Sequence, residues 1–139
     1  MPLPITSVTA ALLALLLLFL AILTVRHRLN LKAAFGDAQD PKLIAASRSH
    51  GNLAEHAPMV LIMLGLLEYS GANATVLSVI AAAFVLGRIA HAIGLHQPSE
   101  PGKAPLPRQA GVILTWITLL ALSVMILLAV IGAYSATQG

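Results

Sequence analysis

Long apolar runs separated by short polar stretches set the pattern of this chain. The first run, PITSVTAALLALLLLFLAILTV, extends from Pro4 to Val25 and has the ~20 residues needed to cross a bilayer as a helix. RHRLNLKAAF follows it, with no basic segment before it and no small-residue cleavage site after it, so the sequence predicts a retained span and not a signal peptide. A second helix is expected over residues 41–69, with Asp40 as its cap, Pro41 at the first helical position and Ser70-Gly71 as its stop. At ~1.5 Å per residue that helix is on the order of 40 Å long, more than a bilayer core requires, so its polar first half projects toward the headgroups or lines a site. Pro58 removes one hydrogen bond within it and predicts a local kink.

A third helix is expected over residues 74–95, capped by Asn73, and a fourth over residues 108–134. HQPSEPGKAPLPR between them carries four prolines and a glycine and reads as a connector. The predicted fold is all-α: a single domain of four spans.

Composition agrees with this pattern. Only 9% of the 139 residues are charged against 58% hydrophobic, and the mean hydropathy is +0.90. Soluble domains carry roughly a quarter charged residues, which places this chain among integral membrane proteins. The net charge of +3 does not make a nucleic-acid binder, because the eight Lys and Arg are scattered among apolar runs without interleaved aromatics. Arg26, Arg28, Lys32 and Lys42 follow the first span, and Lys103 and Arg108 follow the third. The positive-inside rule therefore predicts both basic loops in the cytoplasm and both termini on the opposite side. With no cysteine, any thiol chemistry needs a thiol from outside.

The candidate chemistry sits in SRSHGNLAEHAP, residues 47–58, at the entrance to the apolar half of the second helix. Helical spacing places Arg48, Asn52 and Glu55 on one face, with His50 offset and His56 read as a bystander. The third helix carries Arg88 and His91 one turn apart, and Arg108 opens the fourth. A charge at membrane depth must face the bundle or a wet cavity, and Glu55 is the expected partner of Arg88. Plainer readings also exist: Arg48 can snorkel to lipid phosphates, an Arg88–Glu55 pair can be a structural tie, and His91 can be a satisfied interior residue. No pair of histidines has metal-site spacing in an open context, so no metal is expected. Three arginines, an asparagine and a glutamate suit a small ligand bearing carboxylates and an ammonium group.

RSHGNLAEHAP, LGRIAHAIG and an arginine after a proline-rich loop together resemble the MAPEG family, the membrane-associated proteins of eicosanoid and glutathione metabolism. The likeness runs from Arg26 to the end of the fourth helix and is closest to the small bacterial members, which makes a bacterial inner membrane the expected location. The resemblance implies a homotrimer with a reduced-glutathione site at each subunit boundary. It implies that Arg48, His50, Asn52, Glu55, Arg88 and His91 bind the peptide, and that Arg108 sits by the thiol and favours its thiolate. The activity so implied is that of a glutathione-dependent transferase or peroxidase acting on lipophilic electrophiles that enter from the bilayer. A non-catalytic protein binding lipid headgroups or a partner is the alternative, and a small proton- or ion-coupled transporter a third reading. Where the eicosanoid enzymes carry a second arginine and a fourth-helix tyrosine, this chain has Gly51 and Val112, and its proline follows the glutamate one residue earlier.

Overall fold

A computed structural model of the chain describes residues 2–99 and 102–138. Four helices follow one another: α1 (Pro4–Leu31), α2 (Pro41–Tyr69), α3 (Ala74–Leu95) and α4 (Leu106–Gln138). There is no β-strand among the described residues.

The helix ends have identifiable causes. Asp40 caps α2 by accepting a 2.8 Å hydrogen bond from the Leu43 N–H, and Asn73 caps α3 through Val76 N–H at 3.1 Å. Both caps match the sequence signals. α1 has no side-chain cap of its own; the Glu68 carboxylate from the far end of α2 takes that place, accepting from the N–H groups of Ile5 and Thr6 at 2.8 Å each. The apolar run of α1 stops at Val25, but the helix continues through Arg26–Leu31, where arginine and leucine retain good helix propensity. It ends in a Schellman turn at Lys32, which adopts φ +52°. α4 starts two residues ahead of Arg108, because Pro107 in a first turn has no N–H to lose. α2 continues unbroken through Pro58.

α1, α3 and α4 are each long and apolar enough to cross a membrane; α2 falls short by composition because of its polar first half. The outer faces of α1 and α4, with Leu15, Phe19, Leu120 and Leu128, are exposed in the isolated chain, as contact with lipid requires. Inside, Leu13, Leu53, Leu64, Leu77, Phe84 and Leu122 form one buried cluster contributed by all four helices. Around the bundle α1 lies beside α2 and α3, and α4 beside α2 and α3; among the described residues α1 and α4 do not meet.

The α3–α4 pair is the closest, and glycine makes it so. A Cβ at Gly94 would collide with the backbone of Arg108, and one at Gly111 would come within 2.5 Å of the Gly87 carbonyl and of His91 Cβ. These backbones approach as only glycine permits. The seam presses the first turn of α4 against the part of α3 that carries Arg88 and His91.

Candidate functional site at one end of the bundle

Where α1 ends, α2 begins, α3 ends and α4 begins, the polar residues of three helices meet. At 3.6 residues per turn, Arg48 and Glu55 both lie on one side of Asn52, by about 40° and about 60° respectively. The structure follows this division. Asn52 is half-buried and turned inward, whereas Arg48 and Glu55 are exposed along the outer edge of the same stripe.

Arg88 is buried, at 2% exposure, and its guanidinium ties three helices together. Nη2 donates to Asn52 Oδ1 on α2 at 2.8 Å, and Nη1 donates to Thr115 Oγ1 on α4 at 3.2 Å. The threonine hydroxyl in turn donates to the Gly111 carbonyl at 2.8 Å. The expected Arg88–Glu55 hydrogen-bonded pair is therefore not what holds the arginine. Glu55 is close enough to act on Arg88 electrostatically, but the rotation along α2 points its carboxylate outward and leaves the neutral Asn52 amide facing α3. A buried cation held by two neutral acceptors is poorly compensated.

His91 lies one turn beyond Arg88 and is also buried, at 3% exposure. Arg88, Arg108 and His56 all stand near enough to act on it electrostatically. Arg88 Nε and His91 Nδ1 are both buried and find no hydrogen-bond partner among the described residues. His56 is more than the bystander its spacing suggested: it is half-buried, and its Nδ1 hydrogen-bonds the Asn52 carbonyl at 2.8 Å. His50 is half-buried on the opposite side of α2, about 160° from Asn52, and is not part of this group.

Arg108 is exposed at the start of α4, its backbone against Gly94. An open depression of about 360 Å³ lies beside it, lined by Ala104, Arg108, Gln109, Val112 and Ile113. The structure thus gathers Asn52, Arg88, His91 and Arg108, sets Arg48 and Glu55 at the rim, and separates His50.

Thr115 was missed in the sequence, although a signal existed. Arg108, Gly111, Thr115 and Thr118 recur at i, i+3, i+7 and i+10, which marks the face of α4 turned to α3. Three of these four, Gly111, Thr115 and Thr118, are buried.

Two relatives share 29% identity with this chain over 116 residues, covering 84% of it and 85% of their own length. Both are named inner membrane protein YecN, one from Escherichia coli K12 and the other from Escherichia coli O6:H1 strain CFT073. The model of the MAPEG family matches residues 6–128, a region that includes α2 and α3 whole, most of α1 and α4, and each residue of the gathered site. By the extent of that match, this four-helix integral membrane chain belongs to the MAPEG family.

Proposed function

We propose that the protein binds reduced glutathione at this end of the bundle and uses it as a transferase or peroxidase toward lipophilic electrophiles. The observation that carries the reading is the imbalance of charge. A buried guanidinium has no carboxylate hydrogen-bonded to it, Arg88 and Arg108 both act on His91, and Arg48 is exposed on the neighbouring stripe of α2, so this end of the bundle attracts an anion. Glutathione supplies two carboxylates for arginine forks, an ammonium group for Glu55, and the thiol that a chain without cysteine lacks.

In this reading Arg48 and Glu55 meet the peptide at the exposed rim, and the free amide edge of Asn52 and the imidazole of His91 line the interior side. His50 follows only from the family motif. Arg108 is the candidate catalytic group. A cation beside a thiol lowers its pKa, and the thiolate is the attacking nucleophile. The thiol proton passes to water; the thiolate pair then forms the carbon–sulfur bond to an electrophilic carbon as the bond from that carbon to its leaving group breaks, and the leaving group departs with that bond's electron pair. A homotrimer in a bacterial inner membrane, with the site facing the cytoplasm, completes the proposal. Subunit association would convert exposed Arg48, Glu55 and Arg108 from surface groups into walls of a shared pocket.

The test is thermal unfolding of the detergent-purified oligomer with and without millimolar reduced glutathione. A stabilisation is expected for the wild type and lost in Arg48→Ala and Glu55→Ala. An unchanged melting temperature in a folded wild-type sample rejects glutathione as the ligand. Stabilisation by anionic lipid instead, abolished in Arg108→Ala, would favour a headgroup-binding protein.

A further inference from the structure

We infer that Thr115 is a positioning residue: with Asn52 it clamps the Arg88 guanidinium between α2, α3 and α4, so that Arg88 organises the site from within. This rests on the proposed glutathione site and assigns roles among its residues. The ligand is then met by Arg48 and Arg108 at the rim.

Three observations lead here. Arg88 is almost wholly enclosed, and both of its terminal nitrogens are already committed inside the chain. Those two bonds reach α2 and α4, two of the three helices packed on α3, so a single side chain ties α2 to α4 at the level of the site. The Thr115 hydroxyl is itself anchored, because it donates to the Gly111 carbonyl. Gly111 is the residue whose missing side chain lets α4 approach His91. A hydroxyl bonded to a backbone carbonyl has its proton directed away and its lone pairs free, which is the orientation needed to accept from a guanidinium. The relay runs Asn52, Arg88, Thr115, Gly111, and it ends one turn from Arg108.

Thr118, the next buried threonine of that stripe, has no corresponding arginine bond among the described residues. The arginine interaction belongs to Thr115 and is not a general consequence of threonine in this face.

Valine in place of Thr115 keeps its shape and loses the acceptor, leaving Nη1 without a partner in addition to Nε. Freed from α4, Arg88 would no longer hold Asn52 and α2 in register with Arg108. The experiment compares wild type, Thr115→Val, Thr115→Ser, Arg88→Met and the double variant Thr115→Val/Arg88→Met as full-length protein in detergent. Glutathione affinity is read by calorimetry, and the melting temperature is read without ligand. A lost hydrogen bond to a charged group predicts glutathione binding weakened about tenfold in Thr115→Val and restored to within about twofold in Thr115→Ser. In the Arg88→Met background Thr115→Val should change neither readout, since the hydroxyl acts only through the arginine. Wild-type affinity in Thr115→Val, failure of serine to rescue, or an undiminished effect of Thr115→Val without Arg88 would each overturn the assignment. If the wild type binds no glutathione, the functional proposal falls by itself. The melting-temperature cycle then decides the clamp: coupled values support it, and additive values reject it.

Discussion

Glu68 Oε2 accepts from both the backbone N–H and the hydroxyl of Thr6, at 2.8 and 2.6 Å, across 62 residues of chain. Oε1 takes the Ile5 N–H at 2.8 Å. The last turn of α2 thereby caps the first turn of α1. Anionic groups at a helix N-terminus satisfy orphan amides and complement the dipole. A Cβ added at Gly65, one turn earlier, would meet the Thr6 methyl at 3.6 Å, an ordinary contact, so α1 and α2 do not need glycine there.

Glu68→Ala should therefore lower stability by about 1–2 kcal/mol, the usual cost of losing a cap. Glu68→Gln should cost less, because the amide keeps one acceptor but cannot serve both oxygens' partners. Since this cap lies at the opposite end of the bundle from Arg88, glutathione affinity should stay unchanged in both variants. Thermal unfolding and calorimetry on the same samples check this. A loss of affinity equal to the loss of stability would mean that the two ends are coupled.

Glycine-to-alanine substitutions should change sign with position. At Gly111 and Gly94 a methyl meets backbone, and overpacking of this kind costs about 1–3 kcal/mol or more while pushing α3 and α4 apart. At Gly51 nothing lies within 4 Å, and alanine inside a helix gains about 0.5–1 kcal/mol over glycine. A lowered melting temperature for Gly111→Ala and an unchanged or raised one for Gly51→Ala is the expected pair of results. The Gly51 result also tests whether this position, which is arginine in the eicosanoid enzymes, has room for a side chain.

Asn52 and Glu55 share a helical stripe, yet their substitutions should separate. Asn52→Ala removes the acceptor of a buried guanidinium and should cost about 1–3 kcal/mol in the ligand-free protein. Glu55→Ala removes an exposed carboxylate and should leave ligand-free stability within about 0.5 kcal/mol while abolishing stabilisation by glutathione. Equal destabilisation by the two would restore the Arg88–Glu55 tie that the geometry does not display.

Much of the fold was legible because membrane helices announce themselves by length and hydropathy, and because Asp40, Asn73 and the proline-rich connector mark ends by local chemistry. The extension of α1 beyond Val25 was not, since apolar character measures the bilayer and not the helix. The Glu68 cap was also hidden, because a contact across 62 residues leaves no spacing in the sequence. At the site, periodicity grouped Arg48, Asn52 and Glu55 correctly as one stripe. It could not say which edge of the stripe turns inward, and that rotation of a few tens of degrees is what exchanges Glu55 for Asn52 as the partner of Arg88. Thr115 was readable only from the small-residue face of α4.

The sidedness expected from the basic residues can be tested directly, because the sequence has no cysteine to interfere. The α1–α2 loop is flanked by Arg26, Arg28, Lys32 and Lys42, and the positive-inside rule predicts such a short basic loop on the cytoplasmic side. Ala34 is exposed in that loop, and Ala136 is exposed near the end of α4. With Ala34→Cys, a membrane-impermeant maleimide should label inside-out vesicles and spare intact spheroplasts; Ala136→Cys should give the reverse. The same orientation would place Arg48, Glu55 and Arg108 at the cytoplasmic surface, within reach of a water-soluble thiol peptide. Labelling of Ala34→Cys from outside would invert the bundle and remove cytoplasmic glutathione as the source of the ligand.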